Sequence, residues 1–212
     1  MVRDTKVARR AYRSPLRAAQ AGQTRLAILT EATRLFAEQG WAGTGMRDIA
    51  RAAQVSVETV YANFGSKAQL LKQAMDVAVV GDDEPVPLSD RPEFRALASG
   101  DARARAAATG RLLVNLRRRT ARLQGVLQQA GPSDPELAEV LRAGRVTERQ
   151  QFREGITAVA QRDVTETEVD EMFAVLSNDV YLLLTDTCGW SDDAYQSWVA
   201  TTVVRLLNLQ GE

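Results

Sequence analysis

Histidine is missing altogether, cysteine occurs once, and proline only 6 times in 212 residues. Without histidine there is no imidazole to serve as general base, no Ser-His-Asp triad and no usual tetrahedral zinc ligand set. The single cysteine, Cys188, cannot close an intramolecular disulfide, and nothing near it in sequence marks a reactive thiol, so it is expected to be a packing residue. No stretch approaches the roughly 20 continuous apolar residues that span a bilayer, and the first residues carry Arg and Lys without the apolar run of a secretory signal. A cytoplasmic protein with no membrane partner is expected. Glycine-rich phosphate loops and metal-ligand spacings are absent too, so neither an enzyme nor a cofactor is expected.

What is present is a chain 45% hydrophobic, long enough to bury a core, whose net charge of zero is unevenly spread. Residues 1–67 hold 11 Lys and Arg against 5 Asp and Glu, whereas residues 68–212 hold 16 against 22. A positive end attracts the phosphate backbone and a negative remainder is repelled by it, so a nucleic acid should meet only the first third.

The apolar periodicity is helical throughout, and no strand pattern competes with it. Residues 1–23 carry Arg3, Lys6, Arg9, Arg10, Arg13 and Arg17 with few large apolar residues, which predicts a basic arm that either touches DNA or is simply solvated. From about Thr24 to Gln39, Leu26, Leu29, Ala32, Leu35 and Phe36 mark an amphipathic helix with Gly40 placed to end it. A second helix follows from Gly45 to Ala53, with Thr44 placed to cap it. Gln54 and Val55 make a tight turn, and Ser56 caps a third helix from Val57 to about Tyr61 or Ala62. Two helices joined by so short a turn form a helix-turn-helix, whose second helix enters the major groove. Ser66-Lys67-Ala68-Gln69 has capping-box spacing and opens a fourth helix.

The segment from Gly40 to Leu71, GWAGTGMRDIARAAQVSVETVYANFGSKAQLL, resembles the DNA-binding domain of the TetR family of bacterial regulators. The marks are the Gly-aromatic pair, Thr44, Asp48-Ile49-Ala50, Val55-Ser56, Thr59-Val60-Tyr61, Phe64 and Ser66-Lys67. The resemblance implies an all-α protein with a helix-turn-helix domain over 24–72 and a larger helical domain over 73–212 for effector binding and dimerisation. It further implies a homodimeric repressor that binds a palindromic operator in double-stranded DNA and is released by a small-molecule effector. A ligand-independent regulator or activator, and a helical interaction module that has lost DNA binding, remain the alternatives.

By resemblance and geometry together, Thr44, Ser56, Tyr61, Asn63 and Lys67 are placed to meet phosphate oxygens. Arg47, Val57, Glu58 and Thr59 are the candidates for base edges: Arg47 for guanine, Val57 or the Thr59 methyl for a thymine methyl. Thr44, Ser56 and Ser66 are equally explained as helix caps. Glu58 stands where many relatives carry Gly, and Ala62 and Asn63 where they often carry an aromatic and His; Glu58 either stabilises its helix N-terminus or accepts from a cytosine amino group.

Beyond the acidic, proline-bearing segment 81–87, three further helical stretches are expected: Asp101 to about Arg119, a short piece near Thr120–Ala130, and a long helix opened by Asp134-Pro135-Glu136. Two more, about Thr165–Thr187 and Ser191–Leu209, carry wide apolar stripes suited to pairing with a second copy. Asn115, Leu116, Phe152, Asn178 and Asp179 are the candidate effector-binding residues, polar handles with apolar neighbours. Arg117, Arg118, Arg119 and Arg122 read as cations near a helix C-terminus rather than a second nucleic-acid patch.

Overall fold

The computed structural model describes residues 15–82, 84 and 86–209, with side chains from residue 19 onward. The described residues form ten α-helices joined by short turns and loops: α1 (Pro15–Gly43), α2 (Met46–Ala52), α3 (Val57–Phe64), α4 (Lys67–Val80), α5 (Pro92–Arg95), α6 (Ala102–Ala130), α7 (Pro135–Ala160), α8 (Glu166–Val175), α9 (Asn178–Leu182) and α10 (Asp192–Leu206). There is no strand among the described residues. The caps fall largely where short polar residues predict them. Ser56, Ser66, Asp101, Asp134, Thr165 and Ser191 each accept a backbone N–H in the first turn of the helix that follows.

Three expectations need correction. The first helix starts at Pro15, so the part of the expected arm from 15 to 23 is helical, while residues 1–14 lie outside the described residues. It breaks at Gly40, as expected, through a positive φ of 69° that only glycine adopts without strain, and Trp41–Gly43 form a further turn. The stretch 102–130 is one helix of 29 residues rather than two, its buried face running through Leu113, Val114, Arg117, Thr120, Ala121 and Leu123 with Arg117 itself turned inward. The expected helix Thr165–Thr187 is instead α8, α9 and one π-helical turn over Leu183–Thr187.

That last break has a local cause. In a continuous helix the Leu176 carbonyl would accept from the Val180 N–H. Here the Leu176 carbonyl accepts from Arg117 Nε and Nη2 at 3.0 and 2.7 Å, and the Val180 N–H is taken by the Ser177 hydroxyl at 3.3 Å. Both halves of the lost bond are thereby satisfied.

Helix α6 is the axis of the molecule and packs against α1, α4, α7, α9 and α10. Two cores flank it. One joins Phe36, Ile49, Val60, Phe64 and Leu70 of the first four helices to Leu123, Leu127 and Leu137, so the helix-turn-helix is welded to α6 and α7 by shared apolar packing. The other gathers Met172, Leu176, Tyr195, Val199 and Val203 against the first half of α6.

One surface contact predicts a pH response. Arg162, at 2.6 Å, and the Thr165 N–H, at 2.8 Å, hold the Glu168 carboxyl at a pKa of about 2 against an ordinary 4.5. A depressed folded-state pKa contributes stability above the unfolded value and loses it as pH falls through the folded one. With no histidine, thermal melts should give a flat midpoint between about pH 5.5 and 8. Below about pH 4.5 the midpoint should fall, and Glu168→Gln should make that fall shallower; an unchanged acid limb would remove Glu168 from the account.

Candidate nucleic-acid interface and effector cavity

Helices α2 and α3 are joined by a turn through Gln54, which adopts a positive φ of 56°. The Val55 N–H bonds to the Ala50 carbonyl at 3.0 Å and closes the turn. In α3, Val60 and Phe64 point into the core, while Ser56, Glu58, Tyr61, Ala62 and Asn63 are exposed. Tyr61 is 51% exposed, a large aromatic left in water on the face that the fold leaves uncovered. Arg47, in the first turn of α2, is also exposed and has no ion-pair partner among the described residues, whereas Arg51 is tied to Asp48 at 2.6 Å.

The remaining candidates are more committed. The Ser56 hydroxyl accepts from the Thr59 N–H at 3.2 Å and lies 3.0 Å from the Thr59 hydroxyl, which occupies both short side chains with each other. Val57 and Thr59 are half-buried. Asn63 Nδ2 donates to the Thr59 carbonyl at 2.8 Å. Glu58's own backbone N–H, then the Ser56 hydroxyl, hold its carboxyl below the usual range, which keeps it an anion at the helix N-terminus.

Thr44 leaves the set. It is 1% exposed, and its hydroxyl donates to the Leu35 carbonyl at 3.0 Å, so it ties α1 to the start of α2 from inside. The N-cap is Gly45, whose N–H donates to Asp48 Oδ2 at 3.2 Å. Lys67 is half-buried, its ammonium 3.9 Å above the Trp41 ring and donating to the Trp41 carbonyl. Burial lowers its pKa, and Asp134 opposes that shift.

Sequence reasoning missed the clasp between this head and the body. The Ser66 hydroxyl lies 3.2 Å from both oxygens of Glu136, and Gln69 Nε2 donates to Glu136 at 2.8 Å, so the Gln69 side chain serves α7 instead of completing its own capping box. Arg119 closes the other end of α4 by donating to the Ala78 and Val79 carbonyls at 2.7 and 3.2 Å. The rest of the arginine cluster is equally structural. Arg117 is buried, Arg118 pairs with Asp192 at 3.3 Å and Arg122 with Asp186 at 3.0 Å. None of the four sits near a helix C-terminus, because α6 runs on to Ala130.

Between α4, α6 and α7 lies a cavity of about 400 Å³, walled by Met75 and Val79 of α4, Leu116 and Gln124 of α6, and Val140 and Gln151 of α7. A smaller apolar compartment of about 60 Å³ adjoins it deeper in the body and shares Leu88, Leu116, Glu148 and Gln151 with it. The five candidate effector residues divide. Leu116 and Phe152 line these compartments. Asn178 reaches the larger one, but its Oδ1 already accepts from the Thr120 hydroxyl at 2.9 Å. Asn115 is exposed on an outer groove, and Asp179 is exposed and accepts from Gln128 at 3.3 Å. Glu148, Gln124 and Gln151 escaped notice; the available signal was Glu148 one turn before the inward Phe152, a charge at an apolar register. Cys188 is exposed rather than packed.

Residues 28–74 match the model of the N-terminal region of bacterial regulatory proteins of the tetR family. An HTH-type transcriptional repressor of Mycobacterium tuberculosis and an HTH-type transcriptional regulator of Mycobacterium bovis are each 48% identical over 50 residues, 24% of this chain and 27% of the relative. The matched stretch thus spans about a quarter of the length of those relatives. Over the whole chain the fold is similar to that of a Rhodococcus structure described as a TetR-family transcriptional regulator, with a TM-score of 0.66 at 16% identity, covering 87% of this chain and 98% of that one. It is also similar to NalD of Pseudomonas aeruginosa, described as the secondary repressor of a multidrug efflux pump, with a TM-score of 0.65 at 24% identity, covering 88% and 96%. These relatives are described as regulators, not enzymes. The chain thus carries the tetR-family signature over residues 28–74, and its overall fold is similar to that of solved structures described as TetR-family regulators.

Proposed function

We propose that the protein is a transcriptional repressor that binds a palindromic operator as a homodimer and is released when a small molecule enters the cavity between α4, α6 and α7. The observation that carries this is the uncovered face of α2 and α3, where Arg47, Glu58, Tyr61 and Asn63 stand exposed beside a core-facing Val60 and Phe64. Arg47 and Glu58 are assigned to base edges, with Val57 and Thr59 beside them; Tyr61, Ser56, Asn63 and the half-buried Lys67 are assigned to phosphates. Pairing of two copies is assigned to α8 through α10, where Leu183 is 54% exposed and Trp190 and Trp198 are partly so. Helix α4 supports release by ligand, since it contributes Met75 and Val79 to the cavity wall while its first turn belongs to the head. A ligand-independent regulator has no use for that cavity.

The test is selection of random duplex DNA at fixed salt. Wild type should enrich a palindromic motif, and an Arg47→Ala, Tyr61→Ala double variant should lose it, the Arg47 base-edge contact being worth about 1–3 kcal/mol and the Tyr61 phosphate contact adding a loss uniform across sequences. Glu58→Gln should relax preference at one position in each half-site or raise affinity for all sequences. Wild type recovering only salt-sensitive background would leave the interaction-module alternative standing instead.

A further inference from the structure

We propose, resting on the assignment of the effector to this cavity, that the effector is an uncharged amphipath: an apolar tail for the inner compartment and an amide-, ester- or hydroxyl-bearing head held by Gln124 and Gln151.

The charges around the cavity are already spoken for. Lys72 pairs with Asp76 at 2.7 Å and Arg117 with Glu148 at 2.8 Å, so the lining carries no net charge. Every nitrogen of Arg117 already donates, Nε and Nη2 to the Leu176 carbonyl and Nη1 to Glu148. A carboxylate ligand drawn to this guanidinium would displace Glu148 or crowd against it, setting two anions together in a half-buried site. An ammonium ligand would bring a second cation to a carboxylate that already holds one. Either leaves an uncompensated charge out of water, which is costly.

Two polar side chains, by contrast, are uncommitted. Gln124 of α6 and Gln151 of α7 line the larger compartment from opposite helices, and neither makes a hydrogen bond with a described residue. Each offers one carbonyl and one NH2, a match for a neutral head that both donates and accepts. Gln151 also lines the inner compartment, whose other walls include Leu97, Leu113, Phe152, Ile156 and Met172. A tail entering there exchanges water for apolar contact, and the head is left at the junction where Gln151 stands.

Octanamide, octanoate and octylamine share a tail and differ in head charge, so calorimetric titration of the full-length protein with each at neutral pH reads the preference directly. Octanamide should bind at least about tenfold more tightly than either charged probe, equivalent to about 1.4 kcal/mol. Gln124→Met with Gln151→Met, which keeps the side-chain volume and removes the polar atoms, should erase that advantage. Glu148→Gln leaves Arg117 without its counter-charge and should raise octanoate affinity above that of wild type. Equal or tighter binding of either charged probe by wild type, an octanamide preference that survives the double Met variant, or no binding of any probe would overturn the proposal. Operator occupancy is followed in parallel: octanamide binding without release would sink the release mechanism and leave the ligand class standing.

Discussion

Replacing Arg117 by Met is expected to cost about 3–5 kcal/mol of folding stability, the range for removing one partner of a buried, hydrogen-bonded charge pair. The guanidinium is 1% exposed and makes three hydrogen bonds, two to the Leu176 carbonyl and one to Glu148. Met fills most of the volume, so the loss is electrostatic: a buried carbonyl without a donor and a carboxylate, itself 23% exposed, without its cation. Because the carbonyl belongs to the break between α8 and α9, the variant should also loosen the elements that follow it. Urea unfolding of Arg117→Met, Glu148→Gln and the double variant would check this. The double variant should be more stable than the sum of the singles predicts, since Glu148→Gln removes the stranded charge. A loss below about 1 kcal/mol for Arg117→Met would mean that water reaches both acceptors.

Arg117 also shows why part of the fold was illegible in the sequence. Read along the chain, Arg117-Arg118-Arg119 is a run of cations that ought to sit at a helix end, yet α6 passes through it unbroken. Each arginine answers a group elsewhere in the chain: Leu176 and Glu148, Asp192, and the last carbonyls of α4. The converse error, one long helix over 165–187, has the same origin, because the residue that ends α8 is Arg117, 59 positions upstream. Caps, in contrast, are local chemistry between a side chain and a backbone N–H two or three residues on, and those at Ser56, Asp134, Thr165 and Ser191 could be placed by spacing alone.

The candidate DNA-reading face was legible for a similar reason. Within α3 the period that buries Val60 and Phe64 necessarily turns Tyr61 and Glu58 outward. Thr44 misled because a threonine before a helix caps it in most settings, whereas here Gly45 takes that place and the hydroxyl goes inward to Leu35. The cavity was the least legible part. Its wall combines two to three turns each of α4, α6 and α7, and the polar residues in it, Thr120 and Gln124 of α6 and Thr147, Glu148 and Gln151 of α7, read along either helix alone as an ordinary solvent face. Asn115 and Asp179 have the right neighbours in sequence and the wrong side of the helix.

Two glycines on α6 should respond to alanine with opposite signs. Gly to Ala in a helix interior ordinarily gains about 0.5–1 kcal/mol, by lowering the entropy of the unfolded chain. Gly125 fits that case, with open space where a Cβ would go, and Gly125→Ala should raise the thermal midpoint. At Gly110 the added Cβ would lie 2.5 Å from the Gln196 backbone carbonyl oxygen of α10 and 3.0 Å from the Gln196 side chain. A backbone atom cannot rotate away, so the two helices must separate, and overpacking of this kind costs about 1–3 kcal/mol, enough to reverse the usual gain. Because α10 is also assigned to pairing of two copies, Gly110→Ala should raise the dissociation constant in sedimentation equilibrium, whereas Gly125→Ala should not. A stabilising Gly110→Ala would place α10 farther from α6 than this packing has it. A destabilised variant with unchanged self-association would instead detach the dimer surface from α10, and with it the means by which the spacing of the two reading heads is set.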